Sequence, residues 1–222
     1  MTIRQHLPAA LCAAALCIAA STPARAAELV LTLGDGSAPV AEAVASLHAD
    51  AREADGATAV MDQRDSTFVP GVLPVQVGTA VSFPNSDQVQ HQVYSFSTPK
   101  PFELPLYAGT PRAPILFDQP GVVVVGCNIH DWMIGYIVVL DTPHFGKSGA
   151  DGEVRVTAPP GRYTLRIWHA RLAAPVEQPV ELGAGRSTLA VTLALGPPPP
   201  DRRGSDRVRA LQDRLRSLRR DD

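Results

Sequence analysis

From residue 29 onward the apolar side chains recur at alternate positions or in short runs rich in β-branched residues. Segments 29–33, 72–77, 80–83, 91–96, 122–125, 136–140, 154–156, 163–168, 176–182 and 189–195 all have this character. Clusters of Gly, Pro, Asn and Asp separate them, as tight turns require. The pattern predicts an all-β protein. In the last segment Leu189, Val191, Leu193 and Leu195 oppose Thr188, Ala190, Thr192 and Ala194, the alternation of a strand with one face in a sandwich core. The run 122–125 is apolar on both faces and is predicted to be central in its sheet.

Both ends depart from this pattern. Arg4, an apolar run over 7–20 and the small residues of Ala24-Arg25-Ala26 read as a secretory leader spanning 1–26, cleaved after Ala26. The expected destination is the periplasm. The run is shorter than the roughly 20 apolar residues that cross a bilayer. Cys12 and Cys17 fall within the leader, each preceded by Leu where a lipid-attachment signal needs a small residue. At the other end, 197–204 is a Pro-rich linker that reads as a stiff spacer. Over 205–220, Val208, Leu211, Leu215 and Leu218 recur at steps of three and four, predicting a short amphipathic helix with an Arg-rich face. At about 16 residues such a helix is marginal alone. It is expected to dock on the body or be solvated, the second reading being weak membrane or partner contact.

Charge narrows the classes. The chain has 20 basic and 22 acidic residues, but the last 22 positions hold eight Arg against five Asp, leaving 27–200 with 10 basic and 17 acidic. An acidic body argues against nucleic-acid binding.

Removing the leader leaves Cys127 as the one cysteine of the exported chain, in a compartment where thiols are normally paired. With no partner in the same chain, it reads as a reactive group, an intermolecular half-cystine, a buried inert thiol or a metal ligand. Its surroundings favour the last. Cys127-Asn128-Ile129-His130-Asp131-Trp132-Met133 presents thiolate, imidazole and thioether in one turn between two strands. His91, opening segment 91–96 on the same strand face as Val93, supplies a second imidazole. Two His, one Cys and a weak axial Met form the trigonal thiolate set that selects copper. A Cys127/His130 nucleophile pair leaves His91 and Met133 without a role. A structural zinc site takes Cys and His, for which Met is a poor substitute. No feature points to an enzyme. His48, His144 and His169 read as surface or strand-end residues.

Thr58 to Asp141 resembles the cupredoxins, with Phe83-Pro84-Asn85-Ser86-Asp87 leading to His91-Gln92-Val93 and a Cys-x2-His-x2-Met loop similar to that of the amicyanins. More narrowly, Asp62-Gln63-Arg64-Asp65, Phe102-Glu103-Leu104-Pro105-Leu106-Tyr107-Ala108-Gly109 and 126–135 resemble the plastocyanin-like periplasmic methylamine utilization proteins. The resemblance implies a Greek-key β-sandwich with one type 1 copper held by His91, Cys127, His130 and Met133. Many cupredoxins carry Asn after the first His; this chain has Gln92, so its loop is expected to be held differently.

The flanks resemble a carboxypeptidase-regulatory-like sandwich, an Ig/transthyretin-like fold. Asp35-Gly36-Ser37-Ala38-Pro39 matches its opening, and Pro159-Pro160-Gly161-Arg162-Tyr163 its later half. The expected organisation is a copper domain over 58–141 inserted between 27–57 and 142–196 of that sandwich. Three functions follow as expectations: one-electron transfer with a c-type cytochrome or dehydrogenase as partner, copper delivery, sensing or storage, and carbohydrate or protein binding by the second sandwich.

Overall fold

A computed structural model describes residues 26–49, 57–111 and 113–199; the predicted leader and C-terminal helix fall outside these. In chain order the strands are β1 (Ala27–Gly34), β2 (Val44–His48), β3 (Thr58–Val60), β4 (Asp62–Arg64), β5 (Thr67–Val69), β6 (Val72–Gln76), β7 (Thr79–Ser82), β8 (His91–Ser95), β9 (Phe102–Tyr107), β10 (Ile115–Phe117), β11 (Gly121–Gly126), β12 (Ile134–Leu140), β13 (Phe145–Lys147), β14 (Glu153–Ala158), β15 (Gly161–Trp168), β16 (Val176–Leu182) and β17 (Arg186–Thr192). The protein is all-β. Among the described residues no helix is long and apolar enough to cross a membrane.

Each of the ten segments read from the sequence coincides with a strand. The structure adds β2, a five-residue strand buried along both faces, and β3, β4, β5, β10 and β13, which at three residues each are too short to display a period. It also adds β9, where Phe102, Leu104 and Leu106 alternate with Glu103 and Pro105 but the proline argues against a strand.

The pairings fall into two groups. One joins the start of the chain to its later part: β1 lies between β14 (antiparallel) and β17 (parallel), and β2 lies between β13 and β15, with β16 at the edge. Leu29, Leu31, Leu33, Ala45, Leu47, Val154, Val156, Leu165 and Ile167 from these sheets share one core. The alternation at 188–195 does what it predicted: Leu189 and Val191 pack against this core and Leu193 is buried in it, while Thr188, Ala190, Thr192 and Ala194 face solvent.

The second group comes from the intervening chain. A five-stranded sheet ordered β6-β12-β11-β8-β9 and a three-stranded sheet ordered β10-β7-β3 enclose a core containing Met61, Val81, Phe83, Phe117, Val93, Val123, Val125 and Ile137. The strand read as central, β11, is the middle one of its five. Only one face is fully buried: Val123 and Val125 point inward, whereas Val124 is exposed. The two groups meet where Val44 packs with Val72, Val138 and Leu140, closed by Tyr136, Phe145 and Trp168. The hairpin β4–β5 stands beside the larger sheet, with Phe68 in its core.

Candidate metal centre

Strand alternation sets the first candidate ligand position. His91, Val93 and Ser95 all face the interior of β8, and His91 is 0% exposed. An imidazole deep in an apolar core needs polar partners. The second group arrives on a closed turn. β11 ends at Gly126, β12 begins at Ile134, and the seven residues between are cinched by Cys127 N–H to Met133 O (3.3 Å) and Met133 N–H to His130 O (2.9 Å). Asn128, Ile129 and Asp131 face solvent, while His130 and Trp132 are half-buried and Cys127 and Met133 join the core.

His91, Cys127 and His130 converge. Cys127 Sγ is 3.8 Å from His91 Nδ1 and 3.9 Å from His130 Nδ1, and the two Nδ1 atoms are 3.1 Å apart. A borderline-soft ion that bonds nitrogen at about 2.0 Å and sulfur at about 2.3 Å in a trigonal plane sets S···N separations of about 3.8 Å and N···N of about 3.5 Å. The sulfur–nitrogen distances match. The shorter nitrogen pair corresponds to a closing of that angle to about 100°. These three groups could hold a metal ion. Met133, the fourth position read from the sequence, lies in the same core cluster as Cys127.

The state of the imidazoles suits this. His91 Nε2 lies 2.7 Å from Asp87 Oδ2. Burial works against the charge on Asp87, but hydrogen bonds from Ser66 N–H, His91 and Asp65 N–H outweigh it and hold the carboxyl below its ordinary range. An ionised Asp87 accepts a proton bond from His91 Nε2, leaving the Nδ1 lone pair aimed at Cys127 and His130. His130 is held below the ordinary imidazole value by burial first and by the neighbouring His91 second, so its neutral form is favoured. Trp132 covers it, the two ring centroids being 5.1 Å apart.

The supporting contacts were only partly legible. Gln92, where many cupredoxins have Asn, turns outward and donates to Glu103 Oε1 (2.7 Å). Asn85 ties the segment before His91 to β9: its Nδ2 donates to Val89 O and Tyr107 O (2.9 Å each), and its Oδ1 accepts from Asp87 N–H (3.0 Å). Behind it Tyr107 donates to Phe83 O (2.6 Å) and accepts from Gln63 Nε2 (2.6 Å), with burial pushing the phenol up to about 12. Asp87 received no role from the sequence; its position four residues before His91 was the available signal. Among the described residues the other histidines lie elsewhere: His48 pairs with Asp141 (3.0 Å), His144 Nδ1 contacts Thr157 O (2.9 Å), and His169 Nδ1 accepts from Arg171 N–H (3.2 Å).

No family model matches the chain, and no curated protein matches it. Solved structures do. The copper-containing nitrite reductase of Thermus scotoductus SA-01 overlaps 44% of this chain at 28% identity and a TM-score of 0.37, and the chain spans about a quarter (25%) of its length. A purple cupredoxin from Nitrosopumilus maritimus overlaps 38% of this chain and 99% of its own, at 26% identity and 0.32. A reduced amicyanin variant overlaps 43% and 98%, at 23% and 0.35.

Proposed function

We propose that the protein is a periplasmic cupredoxin-type electron carrier holding one type 1 copper ion through His91, Cys127, His130 and Met133. The observation that carries this reading is the triangle of His91 Nδ1, His130 Nδ1 and Cys127 Sγ, with sides of 3.1, 3.8 and 3.9 Å, closed by an interior where Cys127 and Met133 are buried. Two neutral imidazoles and a thiolate, with a thioether for the axial position, are the donors copper takes in preference to zinc, magnesium or calcium. Bound copper supplies a one-electron couple at that point.

The chain's own residues do the rest. The strands around the site fix His91 and Cys127 before any ion arrives, so little has to reorganise when an electron is gained or lost. His130 is the ligand nearest solvent, which makes its exposed edge the natural point of contact with a partner such as a c-type cytochrome or dehydrogenase. Trp132 and Met133 keep water from the thiolate.

In this reading 58–141 is the copper domain, inserted in a carboxypeptidase-regulatory-like sandwich made of 27–57 and 142–196. The pairing of β1 with β14 and β17, and of β2 with β13 and β15, supports that division. Membership of the methylamine utilization group rests on the sequence motifs alone.

The visible and paramagnetic spectra of the copper-loaded exported chain test the proposal. An intense thiolate-to-copper charge-transfer band that is lost in Cys127→Ser, with rapid one-electron exchange against a cytochrome, is the expected result. Tight copper binding without exchange overturns the carrier role in favour of delivery or storage. Absence of copper binding removes the whole reading.

A further inference from the structure

The two imidazoles of the centre belong to different parts of the chain, yet both connect to one short turn outside it. Asp65 and Ser66, at the tip of the hairpin β4–β5, have φ of 51° and 50°, a left-handed pair without glycine. Successive residues in such turns can aim their N–H groups to one side, forming a concave anion seat. Asp87 occupies it: Oδ1 accepts from Asp65 N–H (2.6 Å) and Oδ2 from Ser66 N–H (2.9 Å). The same Oδ2 meets His91 Nε2 at 2.7 Å. From the other side of the turn, Ser66 O accepts from Trp132 Nε1 (3.2 Å), and the Trp132 ring covers His130.

We infer that Asp87, seated on the Asp65–Ser66 turn, is the positioning residue that fixes His91 as the Nε2–H tautomer with Nδ1 free to ligate, and that the same turn steadies His130 through Trp132. The inference rests on the metal-site reading above. A cap on the hairpin alone would need only the two backbone contacts. Sharing Oδ2 with a fully buried imidazole does more, because His91 has no access to bulk water to satisfy Nε2–H. Without the carboxylate, the proton gains by moving to Nδ1, where His130 and Cys127 stand, and that blocks ligation.

The carboxylate also places a negative charge one imidazole away from the ion. Negative charge there favours the more positive oxidation state, so its loss should raise the reduction potential. Outer-sphere partners of ligating imidazoles typically matter by about 10–100-fold in metal affinity.

The test uses the exported full-length chain. In the metal-free wild type, nitrogen NMR of the imidazoles should show His91 protonated at Nε2, with a slowly exchanging proton; protonation at Nδ1 overturns the inference even if copper binds. In Asp87→Asn the copper(II) affinity, measured by chelator competition, should fall about 10–100-fold. Its paramagnetic spectrum should change and its potential should move upward. Trp132→Phe, which keeps a ring over His130 but cannot reach Ser66 O, should change the spectrum and leave the His91 tautomer intact. Asp118→Asn removes an equal charge from the exposed pair with Lys100 and should match wild type. Should Asp87→Asn fail to fold, Asp87→Glu serves: a retained Nε2–H signal with a shifted potential supports the assignment. Variants at Asp87 that equal wild type in affinity, spectrum and potential refute it. Wild type that binds no copper yet shows the Nε2–H tautomer refutes the copper reading and leaves the brace standing.

Discussion

Cys127 Sγ lies 3.9 Å from His130 Nδ1 across a turn that advances only three residues. An extended chain would separate those side chains by about 10 Å. The Met133 N–H bond to His130 O curls the segment so that both donors point inward. Replacing Cys127 by Ser keeps the shape but substitutes a hard, neutral hydroxyl for a soft thiolate. Copper affinity should fall by more than about 100-fold, beyond the usual span of outer-sphere losses. Chelator competition on a variant with wild-type circular dichroism measures this.

Acid should destabilise the metal-free protein in two stages. His48, His169 and His130 are all held below the ordinary imidazole value near 6.5. Burial is the first cause in each case, followed by Arg166, Arg171 and His91 respectively. For His48, Asp141 at 3.0 Å pulls upward, but burial and Arg166 prevail. A group whose folded value is depressed takes up its proton first in the unfolded chain, so stability falls as pH drops below about 6.5. A second loss follows below about pH 4, where Asp62 and Asp87 are depressed and Asp35 is held at about 2 by hydrogen bonds from Ser37 and Ala38. Urea midpoints from neutral pH downward should show both steps. His48→Gln should shrink the first without altering the second.

The candidate ligands are more legible in the sequence than the contacts that support them. Alternation through 91–96 put His91 inside, and the spacing of Cys127, His130 and Met133 between two strands drew attention to one loop. Those signals are local, and local patterning survives folding. The role of Asp87 depends on a hairpin tip more than 20 residues earlier in the chain. Asp65 tolerates a left-handed turn but marks one only weakly, and glycine, the usual marker, is absent. Gln92 likewise is visible in the sequence, but that it turns outward to Glu103 is not. The short strands β3, β4, β5, β10 and β13 escaped detection because three residues carry too little periodicity.

Trp168 should contribute stability without touching the metal. Its ring meets Tyr136 at a centroid distance of 5.4 Å and packs with Val44, Val138 and Leu140 where the two groups of sheets join. Leu140 ends the strand that starts just after Met133, and six residues of strand place it about 20 Å away. Trp168→Ala should cost about 2–3 kcal/mol, somewhat less than a fully buried aromatic, because the ring is half-exposed. Chemical denaturation should register that loss while the copper spectrum stays at wild type.

Gly135 should be intolerant of even one added carbon. It follows the ligand loop by two residues, and a Cβ there would stand 3.0 Å from Phe68 Cβ and 3.0 Å from Val125 Cγ2. Neither neighbour can swing away easily: Phe68 Cβ is fixed to its own backbone, and Val125 is the residue paired with Gly135 across the sheet. Gly135→Ala must therefore push β12 away from β5 or β11, at about 1–3 kcal/mol. The strain falls on Ile134 and Met133, so the copper spectrum should shift together with the melting temperature. Gly183→Ala provides the contrast, because a Cβ there meets nothing within 4 Å. It should leave both measurements unchanged, which separates crowding at Gly135 from a general cost of replacing glycine.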